Sequence, residues 1–127
     1  MCHQTVSLTA RVLEAGGIAT VIIGSAYDIV TTCGVPRYLY NDFPLGNPLG
    51  KPFDRDTQRQ SVSMALDLLR SATAPGAIVT TPFRWADNEQ WKENYARVDA
   101  SNREELLRRG DENRKQRQQN QANGLVR

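Results

Sequence analysis

Hydrophobic and polar positions follow two different periods along the chain. Residues 4–15 carry Val6, Ala10 and Leu13 at the spacing of one helical face, and two glycines follow them. Residues 18–23 form a nearly continuous β-branched run, which is typical of a strand covered on both faces. The same patterns predict helix 4–15, strand 18–23, helix 25–32, strand 37–41, a helix from 54 or 56 to 72, strand 77–81 and a helix from 87 or 88 to 98.

This alternation of helices and strands predicts an α/β fold. The expected architecture is a three-layer sandwich, in which helices flank a small parallel sheet. In a doubly wound sheet a strand feeds the first helix, and the pattern shows none before residue 4. We therefore expect residues 1–100 to be the C-terminal part of a larger α/β unit. Residues 101–127 hold few apolar groups and are predicted to form a polar helical or disordered tail.

Composition and charge narrow the classes of function. The 127 residues include 16 basic and 14 acidic side chains, and a formal net charge of +2 is too weak to indicate nucleic acid or an anionic membrane as a partner. No apolar run approaches the roughly 18 residues of a membrane span. The first residues also lack the pattern of a signal peptide. We therefore expect a cytoplasmic protein that acts on a small molecule.

The sequence also argues against a metal centre. Two cysteines, Cys2 and Cys33, and the single histidine, His3, are too few for a disulfide framework or a closed zinc site. Both cysteines are expected to be thiols, and Cys33 is predicted to pack as a small apolar side chain at the end of a helix. We predict that the chain binds neither a metal nor a cofactor.

A loop rich in proline and glycine follows the second predicted strand. Its prolines and glycines are Pro44, Gly46, Pro48, Gly50 and Pro52. Proline fixes the φ angle and glycine permits unusual backbone angles, so the loop is suited to holding one shape. Loops at the carboxyl ends of strands are where open α/β sheets place their ligand sites. We therefore assign Asp42, Gly46 and Asn47 to substrate binding.

Gly24 and Ser25 follow the first predicted strand and open a short helix. Backbone N–H groups at such a turn can hold an anion. The full Gly-x-Gly-x-x-Gly pattern of dinucleotide sites is absent. Two interpretations of Ser25 therefore stand: it caps the helix, which is the simpler account, or it contributes to substrate binding.

Cys2 and His3 stand near the start of the first predicted helix. Unpaired N–H groups and the positive end of the helix dipole stabilise a thiolate at such a position. His3 is a candidate proton acceptor beside it. One interpretation is a nucleophilic or redox thiol with Cys2 and His3 as the catalytic pair. The other is an incidental cysteine at a frayed chain end.

Two stretches of the chain resemble a known family. They are Cys2-His3-Gln4-Thr5-Val6 and Asp42-Phe43-Pro44-Leu45-Gly46-Asn47-Pro48. On these residues the chain is similar to the selenoprotein B subunit family of glycine, sarcosine, betaine and D-proline reductases. The resemblance covers about residues 2–72 and includes the helix that follows the loop.

The resemblance implies a thiol-dependent oxidoreductase subunit. Members of the family cleave a C–N bond reductively with a carbonyl-bearing partner subunit, and dithiols supply the electrons. By position, Cys2 corresponds to the reactive selenocysteine or cysteine. The implied protein is a cysteine-containing, N-terminally short relative, which works with a partner reductase subunit or as a homo-oligomer.

Two other functions are compatible with the sequence. The first is a non-catalytic α/β binding or assembly module, which uses the loop and the polar tail for contacts and needs neither cysteine. The second is an isomerase of the two-cysteine racemase type, which requires Cys2 and Cys33 to face each other across one cleft. The position of Cys33 at a helix end counts against the isomerase.

Overall fold

The computed structural model describes residues 2–95 and 97–124. Its helices and strands alternate in the predicted order, and the α/β prediction is confirmed. Their bounds are α1 Cys2–Ala15, β1 Ile22–Gly24, α2 Tyr27–Thr32, β2 Arg37–Tyr40, α3 Arg55–Ser71, β3 Ala77–Thr80, α4 Gln90–Asn94 and α5 Arg103–Ala122. The chain divides into two compact units, one that extends to Lys92 and one that begins at Glu93.

The strands of the described residues form one three-stranded parallel sheet in the order β1-β2-β3. Tyr38 of β2 pairs with Ile22 on one side and with Ile78 on the other. The central strand is the core of the first unit, because Tyr38 and its neighbour Leu39 point to opposite faces and both are fully buried. Since the strands are parallel, their carboxyl ends lie at the same edge of the sheet.

Helices α1 and α2 cover the face of the sheet that carries Tyr38. Ala10 of α1 and Val30 of α2 form a buried cluster with Ile22, Val35 and Tyr38. Helix α3 lies along β2 and β1, where it buries the face that its residues 61, 65 and 68 share. This arrangement gives the sheet a helical layer on each side.

The start of α3 fits the earlier of its two predicted positions, because the helix begins directly after residue 54. Asp54 is the N-cap, and its side chain accepts a hydrogen bond of 3.2 Å from the backbone N–H of Thr57. Hydrogen bonds to Thr57 hold the pKa of the Asp54 carboxyl below its usual value. The cap fixes the point at which the proline- and glycine-rich loop ends and the helix begins.

The Glu14 carboxylate joins the end of α1 to residues near the amino ends of β1 and β2. Glu14, at the end of α1, accepts hydrogen bonds from the backbone N–H and, at 2.9 Å, from the hydroxyl of Thr20. The same carboxylate oxygen lies 2.7 Å from the guanidinium of Arg37, the first residue of β2. These bonds lower the pKa of Glu14, and the backbone bond from Thr20 has the largest effect.

Replacing Glu14 with glutamine should make the free energy of unfolding less dependent on pH in the acid range. The lowered pKa means that Glu14 stabilises the fold above its unfolded pKa of about 4.3, and that this contribution is lost as the pH falls through the folded value. Urea unfolding across that pH window should therefore show a smaller loss for Glu14→Gln than for the wild type. The control is Asp67→Asn on the surface of α3, which removes an exposed carboxylate that is ion-paired with Arg70 and should change stability by less than about 1 kcal/mol. Parallel curves for Glu14→Gln and the wild type would refute the assignment.

The second unit contains α5, a helix with no buried residue in its described length. Side chains three or four positions apart form ion pairs along it, such as Arg108 with Glu105 at 2.8 Å and with Glu112 at 2.5 Å. Hydrogen bonds from Arg108 and Arg109 lower the pKa of Glu105. The predicted polar helix is thus present, and it continues to Ala122.

Among residues 2–95 and 97–124, none of the helices combines the length and the apolar character that crossing a bilayer requires.

Candidate functional site

A cleft of about 340 Å³ opens near the carboxyl ends of the strands. Three parts of the chain contribute to it: the start of α1, the end of β1 and the proline- and glycine-rich loop. Its lining residues are Cys2, His3, Val6, Ile23, Gly24, Ser25, Gly46 and Pro48. Four residues that the sequence singled out for chemistry therefore meet at one cleft, although they lie up to 44 positions apart along the chain (from 2 to 46).

Cys2 places a thiol group at this cleft. It is the first residue of α1, and its thiol is free and exposed. His3 is half-buried next to it, and the His3 carbonyl accepts a hydrogen bond of 2.7 Å from the Ser7 hydroxyl within the helix. The first N–H groups of a helix have no partner inside it, so they are directed to the end where Cys2 lies. The arrangement can support nucleophilic chemistry by sulfur.

Ser25 supplies an unpaired hydroxyl to the cleft wall. The N-cap of α2 is Ala26, which makes no side-chain cap bond, so the prediction that Ser25 caps this helix is wrong. The Oγ atom of Ser25 is buried and has no hydrogen-bond partner among the described residues. A buried hydroxyl without a partner is costly and is satisfied by a water molecule or a ligand atom.

Gly24 leaves room for a tyrosine behind the cleft. A Cβ atom at this position would lie 3.3 Å from the ring of Tyr38. The Tyr38 hydroxyl is buried and has no hydrogen-bond partner in the described residues. Burial raises the pKa of Tyr38 well above its usual value, so this side chain stays neutral.

Asn41 is the polar centre of this region, and the sequence interpretation overlooked it. It directly follows β2 and is fully buried. Its side-chain amide donates hydrogen bonds to the carbonyl of Pro48 at 2.7 Å and to the hydroxyl of Ser61 at 3.4 Å. Its carbonyl oxygen accepts a hydrogen bond from the hydroxyl of Thr81. The signal that could have identified it is an amide placed directly after a buried strand.

Asp42 and Asn47 do not line the cleft. The Asp42 carboxylate is half-exposed, accepts a hydrogen bond of 3.1 Å from the Tyr40 hydroxyl and lies 2.5 Å from the ammonium group of Lys92. The hydrogen bond to Asp42, together with one to Glu89, raises the pKa of Lys92. Asn47 acts through its backbone, since its N–H donates to Pro44 and its carbonyl accepts from Gly50.

Cys33 lies in a different place from Cys2. It is half-buried, packs against the core cluster and lines a separate open hollow of about 410 Å³. Its backbone carbonyl accepts a hydrogen bond of 2.9 Å from Arg11. Because the two thiols line different hollows, they do not form the facing pair that a two-cysteine isomerase requires.

Phe53 is an exposed aromatic residue on the loop. Its side chain is 97% exposed, and its φ angle of 68° lies in the left-handed region that favours glycine. Replacing Phe53 with glycine should therefore raise the free energy of unfolding by about 0.5–1 kcal/mol, because backbone strain is released. Phe53→Ala keeps the strain and should change stability by less than about 0.5 kcal/mol. Urea denaturation measures both variants, and a Phe53→Gly protein less stable than Phe53→Ala would contradict the assignment.

No group of three or more histidine, cysteine, aspartate or glutamate side chains within residues 2–95 and 97–124 is arranged to hold a metal ion.

One of the comparisons with known proteins found a distant relative. No family model and no solved structure matches the chain. The chain is 29% identical over 84 residues to D-proline reductase subunit gamma of Acetoanaerobium sticklandii. The match covers 66% of this chain and 35% of that protein, so the chain spans about a third of the length of the curated relative it matches. The finding supports a distant link to a reductase subunit, which is coarser than the selenoprotein B family that the sequence resembles.

Proposed function

We propose that the chain is a thiol-dependent reductase subunit, or part of one, and that the cleft at the start of α1 is its reaction site. The observation that carries the proposal is the distant similarity to the D-proline reductase subunit. In this proposal Cys2 is the nucleophile and His3 takes up or returns a proton. Ser25, after β1, and Gly46, in the loop, bind the substrate from the lining of the cleft.

The shape of the cleft supports this assignment of roles. The thiol of Cys2 is exposed, so it can be reached by a substrate and by a reducing agent. Val6, Ile23 and Pro48 give the cleft apolar walls, and Ser25 adds the buried hydroxyl that lacks a protein partner. Small-molecule sites commonly combine mostly apolar walls with a few fixed polar groups.

The proposed reaction is the reductive cleavage of a C–N bond next to a carbonyl group. The Cys2 thiolate attacks the carbon, a C–S bond forms as the C–N bond breaks, and the amine leaves with a proton. A thiol of an external dithiol then attacks the Cys2 sulfur, and the carbon departs with the bonding electron pair and takes a proton. The second thiol of the dithiol releases Cys2. In total, one C–N bond becomes one C–H and one N–H bond while two thiols become a disulfide.

A stoichiometric assay tests the proposal. The full chain is incubated with dithiothreitol and D-proline, the substrate in the relative's name, and with open-chain N-alkyl amino acids. We expect primary amine and oxidised dithiothreitol to appear in a ratio of one to one, and Cys33→Ser to behave as the wild type does. In parallel, iodoacetamide should alkylate Cys2 faster than Cys33. No amine release, together with equal alkylation rates of the two thiols, would count against the proposal.

The second candidate is a non-catalytic binding or assembly module, and Phe53 favours it. A large aromatic side chain that is almost fully exposed on a strained loop residue is a typical anchor for a partner protein. The relative is itself a subunit by name, so a reductase subunit with a docking loop would combine both candidates. Activity that is lost with Cys2 but unaffected by Phe53→Ala in the isolated chain would assign chemistry to the cleft alone.

A further inference from the structure

We infer that Asn41 is a positioning residue that sets the width of the Cys2 cleft by holding two of its walls together. This inference deepens the proposed function, because it concerns the same cleft. Asn41 touches neither the cleft interior nor the thiol, and it acts through Gly24 and Pro48. Its consequence is geometric, so it can be measured without reductase turnover.

Asn41 forms one bond to each of two cleft walls. Its backbone N–H donates a hydrogen bond of 2.9 Å to the carbonyl of Gly24 at the end of β1. Its side-chain Nδ2 donates a hydrogen bond of 2.7 Å to the carbonyl of Pro48 in the loop. Gly24 and Pro48 both line the cleft, whereas Asn41 is fully buried and is not among the lining residues. One residue thus fixes the position of the loop wall relative to the strand wall.

The bond to Pro48 depends on the orientation of the Asn41 carboxamide, and Thr81 fixes that orientation. The Thr81 hydroxyl donates to Oδ1 of Asn41, so the amide nitrogen must face Pro48 and Ser61. Thr81 is held in turn, since its backbone N–H donates a hydrogen bond of 3.0 Å to the Tyr40 carbonyl. The carboxamide is therefore locked at the carboxyl ends of β2 and β3, and only a group that both donates and accepts can replace it.

The hydrogen bond from Asn41 to Pro48 explains why the loop can form a cleft wall. Backbone bonds from Asn47 to Pro44 and from Gly50 to Asn47 fold the loop into consecutive tight turns. These bonds fix the local shape of the loop, and the Asn41–Pro48 bond ties the folded loop to the sheet. Without that bond the Pro48 wall can move away from Cys2, and bulkier molecules should reach the thiol.

The experiment measures how well reagents of different size reach Cys2. In a Cys33→Ser background only Cys2 reacts, and the readout is its alkylation rate with N-phenylmaleimide divided by its rate with iodoacetamide. Asn41→Ser is too short to reach Pro48 and leaves space for water, and Asn41→Leu keeps the side-chain volume without hydrogen bonds. The matched control is Ser61→Ala, which removes a bond of the same network but leaves the bonds of Asn41 to Thr81 and Pro48 in place.

We expect the rate ratio to rise by about fivefold or more in both Asn41 variants, as the loss of one specific hydrogen bond allows, and to stay within about twofold in Ser61→Ala. If Asn41→Leu does not fold, Asn41→Ser carries the comparison. Equal ratios in Asn41→Ser and the wild type, or an equal rise in Ser61→Ala, would overturn the inference and leave Asn41 a structural residue. If the amine-release assay fails while the alkylation-rate ratios are as expected, the result counts against the proposed function and leaves the role of Asn41 intact.

Discussion

Replacing Cys2 with serine is expected to lower the dithiol-dependent rate of amine release by about 10³-fold or more. A serine hydroxyl stays protonated at neutral pH and is a weak nucleophile unless a base activates it. Oxygen also fails at the second step, because a thiol cannot regenerate the enzyme by attacking an ether oxygen. The rate is measured from the primary amine released at saturating dithiothreitol.

Cys33→Ser is the matched control for this prediction, because it makes the same sulfur-to-oxygen change outside the cleft. It should release amine at the wild-type rate. Far-ultraviolet circular dichroism should be unchanged in both variants, since Cys2 is exposed and the serine differs by one atom. A similar loss of rate in both variants, or no loss in Cys2→Ser, would remove Cys2 from the mechanism.

The meeting of Cys2, His3, Ser25 and Gly46 could be predicted because parallel strands bring the ends of their connections to one edge of the sheet. Each of these residues lies at the start of a helix, after a strand or in a loop that follows a strand. Alternating hydrophobic periods show where such ends fall. Which side chains point into the cleft depends on distances across the sheet, and those are not visible in the sequence.

The sequence analysis assigned Asp42 to the site, whereas the structure gives the central hydrogen bonds to its neighbour Asn41. The alternation of side chains along β2 continues one residue past its end, so Asn41 follows Leu39 into the interior while Asp42 turns outward to Lys92. A carboxylate and an amide are both plausible at the mouth of a cleft when judged by residue type. What distinguishes the two positions is the partners around them, because Asn41 bonds to distant parts of the chain in the interior and Asp42 bonds to Tyr40 and Lys92.

The inward faces of the two long helices in the first unit were also misjudged from hydrophobicity. The pattern assigned Val6, Ala10 and Leu13 to the buried face of α1, yet Ser7 and Ala10 are buried while Val6 and Leu13 are exposed. Ser7 can be buried because its hydroxyl donates to the His3 carbonyl. A serine with a local partner costs little inside a helix interface, so small side chains that permit close packing replace the expected apolar stripe.

Helix α3 repeats this behaviour. The spacing along this helix predicts one apolar face for the core, made of Val62, Ala65, Leu66 and Leu69. Val62 and Leu66 are nevertheless 41% and 52% exposed, and Ser61 is buried at the amide of Asn41. The polar group that the pattern excluded from the core is the one that the Asn41 network requires. Hydrophobic periodicity therefore identified the elements, while the identity of the inward face depended on hydrogen bonds between distant parts of the chain.

Replacing Leu39 with alanine is expected to lower the free energy of unfolding by about 3 kcal/mol, within the range of roughly 2–5 kcal/mol for buried leucines. Leu39 is fully buried in the central strand, between the partners that β1 and β3 supply on either side. Loss of its side chain removes apolar contacts and leaves a cavity where the sheet has little freedom to collapse. Chemical denaturation monitored by circular dichroism measures the effect.

The control for Leu39→Ala is Leu66→Ala on α3. Leu66 is 52% exposed, and alanine has a higher helix propensity, so this variant should lose less than about 1 kcal/mol. The comparison separates burial from the chemical change, since both variants delete the same atoms. It also tests the face of α3 directly: an equal loss of stability in the two variants would mean that Leu66 lies in a core, and the orientation of α3 described above would be wrong. With a total stability of only about 5–15 kcal/mol for a domain, the expected difference of about 2 kcal/mol is large enough to decide the point.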